Sequence, residues 1–208
     1  MHPGPVPWPH PPGAPASDRA RREPAGPIPG GPRGSRGGRV VAILKVAKLG
    51  SPVLRGRASE IETVDLKRGR LKGFFEDLMD TMVEYNGTGL AAPQVNTPLR
   101  VVLYEVQPGR KGDIEVPPTI LVNPAFEVLD PAEQEDFEAC LSVPFLSAKV
   151  PRPRKIRVRA LDPVGKPVEF VAEDFHARVV LHESDHLDGV VYLDRVRDRA
   201  SIRYTVDF

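Results

Sequence analysis

The sequence predicts an α+β fold, because two helical patterns lie on either side of a long region of strand patterns. Residues 71–86 carry apolar side chains at the spacing of one helical face, and residues 174–189 have a second helical pattern. Between them lie segments rich in β-branched residues and bounded by prolines. This separation of helices from strands is typical of α+β proteins.

The first 39 of the 208 residues differ from the rest of the chain. They are rich in proline, glycine and arginine, and carry too few apolar side chains to offset the entropy cost of ordering them. We expect residues 1–39 to be a disordered extension and residues 40–208 to be one catalytic domain. The arginines leave an organellar transit peptide as a minor alternative, although the proline density argues against the amphipathic helix that it needs.

Composition excludes several classes of function. The 29 basic and 28 acidic residues give a net charge of +1, which provides no argument for DNA or for a membrane surface as a partner. No stretch approaches the roughly 18 apolar residues of a membrane span, and the N-terminus lacks a secretory signal. The single cysteine cannot form an intramolecular disulfide. These features predict a cytoplasmic protein.

The stretch "LKGFFEDLMDTMVEYNG" predicts the first helix. Its apolar residues recur at helical spacing from Leu71 to Val83, and Asn86 and Gly87 are the expected stop. We interpret its Met and Phe stripe as core packing rather than as a cofactor contact.

Strands are predicted in the middle of the chain. "LRVVLYEV" and "TILVNPAFEVLD" have the β-branched composition of strands. "KIRVRALDPVGKPVEFVA" predicts two strands joined by a turn at residues 162–165.

The last predicted helix begins near Asp174, as the N-cap, and ends at Gly189. It contains "HESDH", in which His182 and His186 are four residues apart and therefore share one helical face. Both imidazoles can reach one metal ion at about 2 Å, and Glu183 beside them can act as a general base. The alternative is a solvated helix face with chance histidines.

A catalytic metal needs a third protein ligand. The candidates are Cys140, His176 and distant glutamates. His176 lies six residues before His182, and hence about 120° around the helix from it. A downstream glutamate would need another helix within the last twenty or so residues. Cys140 in "FEACLSVP" is the better candidate, and its alternative role is that of a small buried apolar residue.

A further stretch, "NGTGLAAPQV", contains small residues that allow close backbone approach, followed by Gln94, whose amide can donate to an oxyanion. "GTGLAAPQ", "EACLS" and "HESDH", in that order, resemble the three signature motifs of the peptide deformylases. The resemblance extends from about Ile43 to Asp198, and "SPVLRGRA", "LVNP", "VPRP" and "HLDGVVYLDR" resemble the type I branch.

The resemblance implies that Cys140, His182 and His186 bind one divalent metal ion per chain. In this family the ion is usually Fe²⁺, which Zn²⁺, Ni²⁺ or Co²⁺ can replace. It also implies that Glu183 is the acid/base, and that the reaction removes the N-formyl group from the initiator methionine of nascent polypeptides and releases formate. The fold implied has mixed, mostly antiparallel sheets around a central HExxH helix.

Other roles carried over from the family concern the substrate. Gln94 and the backbone N–H of Leu141 are expected to stabilise the oxyanion. Thr88 and Gly89 are expected to pair with the backbone of the peptide as an added strand would.

The sequence departs from the usual family pattern at four positions. Ala139 and Phe145 stand where glycine is usual, Leu181 replaces a glutamine, and Ser184 replaces an apolar residue. We expect part of the pocket wall, or of the groups behind the ligands, to differ, and efficiency or specificity to change, but the reaction to stay the same. Asp185 is interpreted either as a surface charge or as a residue that orients a ligand or an arginine such as Arg152.

Three alternative functions remain on sequence grounds. A zinc endopeptidase would use the two histidines without Cys140. A catalytically silent homologue would bind formylated or nascent peptides without releasing formate. A structural metal site would normally have a fourth protein ligand. The ribosome is a further predicted partner, through Arg195, Arg197, Arg199 and Arg203 near the C-terminus.

Overall fold

The computed structural model describes residues 42–108 and 114–205. The predicted disordered extension lies outside these residues. The helices are α1 (Thr63–Lys67), α2 (Lys72–Glu84) and α3 (Asp174–Leu187). The strands are β1 (Gly89–Ala91), β2 (Val101–Val106), β3 (Val116–Cys140), β4 (Val143–Leu161), β5 (Pro167–Glu173) and β6 (Arg203–Tyr204). Short 3-10 helices are found at Pro52–Arg55, Ala92–Val95, Tyr192–Arg195 and Arg199–Ser201.

The strands of the described chain form one sheet in the order β1-β2-β3-β4-β5, and β6 pairs with β4. All of these pairings are antiparallel, and an isolated parallel bridge joins Ser59 to Leu99. The predicted α+β class with a mostly antiparallel sheet is therefore confirmed.

Strand β2 shows how the sheet separates two helices. Val101 and Leu103 pack with the apolar face of α2, whereas Val102 and Tyr104 pack with α3. Successive residues of a strand point to opposite faces, so one short strand contributes to both cores. Helix α3 is thus held against one face of the sheet. Helix α2 lies on the other face, outside the core that surrounds α3, as predicted.

The long hairpin of β3 and β4 dominates the sheet. Its register runs from Val122 opposite Leu161 to Cys140 opposite Val143, with irregularities along the way. The strand predicted over 119–130 is therefore part of a much longer one. The hairpin's tip delivers Cys140 to the face of the sheet that α3 covers.

Two local predictions have different outcomes. The predicted turn at 162–165 is present, where the Asp162 carboxylate accepts hydrogen bonds from the backbone N–H groups of Val164 and Lys166. The predicted N-cap at Asp174 is wrong. Glu173 holds that position without a side-chain cap, and Asp174 is the first helical residue, where its carboxylate accepts a hydrogen bond from Arg154 instead.

None of the described helices combines the length and apolarity that crossing a membrane would require.

The end of α3 depends on Gly189. Its φ of +75° is unfavourable for other residues, and an added Cβ would lie 2.6 Å from the carbonyl oxygen of Arg55. We predict that Gly189→Ala lowers the free energy of unfolding by about 3 kcal/mol, from strain plus a backbone clash. Gly69→Ala is the matched control, since Gly69 has a φ of +64° but open space around it. It should cost only about 1 kcal/mol. Equal losses in urea unfolding would contradict the role of the contact.

Candidate metal centre

Three potential metal ligands converge in the interior. Cys140 ends β3, and His182 and His186 lie one turn apart on α3. One ligand atom from each lies within 4.8 Å of the others, and all three residues are buried. The Cys140 Sγ is 3.3 Å from the His186 Nε2. The structure therefore brings together the three residues that the sequence predicted as ligands.

His176, the rejected candidate, lies elsewhere. Its Nε2 is 3.1 Å from the hydroxyl of Tyr104, and its ring stacks on Phe170. Burial lowers the pKa of His176, which favours a neutral ring. It serves as a packing residue of α3 against the sheet.

A buried carboxylate sets the orientation of His182. Its Nδ1 lies 2.8 Å from the Glu138 Oε2. Because an ionised carboxylate only accepts hydrogen bonds, the proton sits on Nδ1, which directs Nε2 towards the ligand cluster. Ion pairs with Arg152 keep the pKa of Glu138 well below its usual range despite the burial that opposes ionisation.

Arg152 connects the strands to the helix. It is completely buried, donates to both carboxylate oxygens of Glu138 at 2.9 Å, and donates to Asp185 at 2.7 Å. Arg195 also donates to Asp185. Of the two roles considered for Asp185, the structure supports the one in which it orients Arg152.

Sequence reasoning did not single out Glu138 and Arg178. Arg178 donates to Glu138 at 2.8 Å and to the carbonyl oxygen of Val150 at 2.7 Å. A signal for Glu138 did exist, because it begins "EACLS" and lies two residues before Cys140, on the same side of the strand. The partner Arg178 lies 40 residues further along the chain, and no local pattern indicates it.

The charges of the cluster fit a cation. Burial opposes ionisation of Cys140, but attraction to His186 and a hydrogen bond with His182 lower the pKa of the thiol well below its usual value. Burial also opposes protonation of His182, yet hydrogen bonds with Cys140 and Glu138 raise its pKa well above the usual value. The negative charge of the Cys140 thiolate is thus stabilised by nearby positive charge, which a divalent ion would supply in place of the histidine protons. One sulfur and two imidazole nitrogens suit zinc or ferrous iron.

Glu183 lies beside the ligands without being one of them. It is buried, and burial raises the pKa of its carboxyl to about 7. Among the described residues its Oε2 has no hydrogen-bond partner. Such a carboxyl can take up and release a proton near neutral pH.

The side-chain amide of Gln94 is held in a fixed orientation. Its oxygen accepts a hydrogen bond from the backbone N–H of Ala91 at 2.7 Å. Its nitrogen therefore points to the Cys140 Sγ at 3.4 Å and to the Ser142 hydroxyl at 3.2 Å. This donor is directed at the cluster, and its predicted role towards an oxyanion stays a prediction.

A cavity of about 480 Å³ leads to the cluster. Residues with predicted catalytic or binding roles line it, among them Thr88, Gly89, Gln94, Leu141 and Glu183. Its size is that of a small-molecule or peptide-end site.

The departures from the family pattern have different consequences. Ala139 does line the cavity. Phe145 and Leu181 are not among its lining residues, so neither changes the pocket wall, and the expected difference behind the ligands stays a prediction. Phe145 is exposed on the surface and stacks on Tyr204, and Leu181 is in the core. The Ser184 hydroxyl is buried, with no hydrogen-bond partner in the described chain.

A buried site of one thiolate and two imidazoles, with a free carboxyl beside it and an open cavity, defines a metallohydrolase. Residues 43–201 match the model of the polypeptide deformylase family, and the chain belongs to this family. Its members are metalloenzymes that remove the N-formyl group from nascent peptides. The activity predicted from the sequence is confirmed, and the silent homologue is not favoured.

Individual members of the family are similar to this chain in sequence and in structure. Peptide deformylase 1 of Bordetella pertussis is 42% identical over 165 residues, which cover 78% of this chain and 93% of the relative. Peptide deformylase 1 of Nitrosomonas europaea is 39% identical over 165 residues, with the same coverage of 78% and 93%. The Met-Ala-Ser-bound class I type b peptide deformylase of Acinetobacter baumannii superposes with a TM-score of 0.72 at 33% identity, over 76% of this chain and 100% of that one.

The packing of Gly89 against Glu183 generates a prediction. A Cβ on residue 89 would lie 2.3 Å from the Oε1 of Glu183 and would displace the carboxylate. We predict that Gly89→Ala lowers kcat for a formyl-Met peptide by about 10-fold or more while metal content is retained. Gly73→Ala, which adds a methyl group where no atom lies within 4 Å, is the control. An unchanged kcat in Gly89→Ala would show that the carboxylate can move without consequence.

Proposed function

We propose that Cys140, His182 and His186 hold one divalent metal ion, and that Glu183 is the acid/base of N-formyl hydrolysis. The observation that carries this proposal is the position of one buried, hydrogen-bond-free carboxylate oxygen beside three converging ligands, at the end of an open cavity. A structural metal site would have no use for the cavity or for the free carboxylate.

A divalent ion held by Cys140, His182 and His186 would act as a Lewis acid, which would polarise the formyl carbonyl and make water more acidic. Glu183 takes one proton from the attacking water. As the C–N bond breaks, Glu183 returns that proton to the departing nitrogen, which gives a free amine and formic acid, and the acid releases its remaining proton to become formate. A pKa near neutrality suits both transfers, because the group must accept and donate within one cycle.

Two donors are assigned to the developing oxyanion, namely the Gln94 amide nitrogen and the backbone N–H of Leu141. The fixed orientation of the Gln94 amide supports its role, because a donor that is already in place needs no reorganisation during the reaction. Leu141 follows Cys140 directly and lines the same cavity.

The peptide backbone is assigned to Thr88 and Gly89. Among the described strands, β1, which begins at Gly89, is an end strand of the sheet, and no described strand pairs with its other edge, where a peptide could add as a strand. Pairing through the main chain reads the peptide backbone and tolerates varied side chains after the methionine.

Fe²⁺ is the proposed native metal, with Zn²⁺, Ni²⁺ or Co²⁺ as substitutes, and the cytoplasm is the proposed location. Contact with the ribosome stays a prediction. Most of the arginines predicted for it make contacts within the chain: Arg195 binds Asp185, Arg197 binds Glu133, and Arg203 stacks on Phe137.

Two substitutions separate this proposal from its rivals. Protein purified anaerobically with Fe²⁺ should release formate from formyl-Met-Ala-Ser. Glu183→Ala should keep the metal and lose activity by about 100-fold or more, because the proton carrier is gone. Cys140→Ala should lose both metal and activity. Formate release and bound metal would be measured in parallel.

His176→Gln is the control, since this histidine is on the same helix but outside the cluster, and it should keep its metal. An endopeptidase that uses only the two histidines would retain metal and activity in Cys140→Ala. That result would contradict the assigned ligand set. Metal binding and peptide binding without formate from the wild type would indicate the silent homologue.

A further inference from the structure

Three strands present a row of side chains beside the cavity. Ala139 of β3 lies opposite Ser147 of β4, and Ser147 lies opposite Arg203 of β6. Residues paired in this way share one face of the sheet. Phe137 and Lys149, the second opposed pair along the hairpin, lie on the same face. Because Phe137 and Ala139 line the cavity, this row borders the path of the substrate.

Two cations in this row lie over one aromatic ring. The guanidinium carbon of Arg203 is 3.5 Å from the ring centroid of Phe137, and the Lys149 Nζ is 5.8 Å from it. Arg203 also donates to the Ser147 hydroxyl at 3.2 Å. Both cations are exposed, and within the described part of the chain neither forms an ion pair with a carboxylate.

Glu133 and Glu135, further along β3, face another arginine. Glu133 pairs with Arg197 through two hydrogen bonds, and Glu135 also contributes to the field at that arginine. Within the described residues, no carboxylate neutralises Arg203 and Lys149, so the anion of a ligand can bind to them.

We propose that Arg203 and Lys149 bind a carboxylate of the substrate downstream of the formyl-methionine, so that this enzyme selects peptides with an acidic third residue. The inference rests on the proposed function. Phe137 lies three residues before Cys140 on β3, and hence about 10 Å from the metal centre at about 3.3 Å per residue. An extended peptide covers that distance in about three residues.

Arg203, one of the two cations, lies beyond the residues that match the family model. The family model matches residues 43–201, and β6 begins at Arg203. A carboxylate at the third position, or at the free C-terminus of a tripeptide, offers the same chemistry to the two cations.

The test compares kcat/KM for formyl-Met-Ala-Glu-amide, formyl-Met-Ala-Gln-amide and formyl-Met-Ala-Gln with a free carboxylate. At low salt the wild type should favour Glu over Gln by about three- to fivefold, as expected for an exposed ion pair. About 0.5 M NaCl should remove most of this preference, because salt screens exposed charges. A preference confined to the free-carboxylate peptide would overturn the assignment to an internal acidic residue.

Variants locate the effect. Arg203→Gln should bring the Glu/Gln ratio close to 1, and Lys149→Gln should reduce it without altering β6. Arg199→Gln, in the same C-terminal segment, should keep the wild-type ratio. A wild-type ratio near 1, or a ratio that survives in the Arg203→Gln/Lys149→Gln double variant, would overturn the proposal.

Failure of the proposed selectivity can be told apart from failure of the proposed function. Absence of formate from every peptide would refute the proposed function alone. The Kd ratio of the same Glu and Gln peptides, measured by competition with a fluorescent formyl-Met peptide, would then decide whether the two cations select a carboxylate.

Discussion

The ion pairs of Arg152 hold the metal centre together. A guanidinium that is completely buried is costly to remove from water, and the cost is offset only if every donor direction finds a good acceptor. Glu138 and Asp185 provide such acceptors, one from β3 and one from α3. Since Glu138 also fixes the proton of His182, the arrangement that satisfies Arg152 also aims a ligand nitrogen. The ligands are thereby oriented by protein groups alone.

The parts of the fold and site that follow local chemistry could be predicted from the sequence. The apolar period over 71–86 defines a helix whatever lies around it, and Asp162 with Gly165 supplies the chemistry of a tight turn. The spacing of His182 and His186 places them on one helical face by geometry alone. The preference for Cys140 over the other candidates needed only the angle around that helix and the length of chain remaining.

The rest depends on partners that are distant in sequence. The role of Asp185 could not be assigned from the sequence, because its partner Arg152 is 33 residues away. Either a solvated or a buried aspartate fits the helix pattern. Aspartate is a residue type that often caps helices, which is why Asp174 was predicted as the N-cap. The chain enters α3 directly from β5, however, and an aspartate with a φ of +49° cannot cap that turn. Phe145 was expected either in the pocket wall or among the groups behind the ligands, because only its neighbours in sequence, and not the direction of its side chain, were known.

Phe145, a departure from the family pattern, is stabilised by strand β6. Its φ of +66° suits the usual glycine and costs a phenylalanine about 1–2 kcal/mol. Strand β6 offsets this cost, because Tyr204 stacks on the ring at 5.8 Å and the backbone N–H of Thr205 donates to the Phe145 carbonyl oxygen at 2.7 Å. An aromatic pair and a hydrogen bond contribute about that amount. The same strand places Arg203 over Phe137 in the cavity wall, so Phe145 packs against the strand that carries this cation.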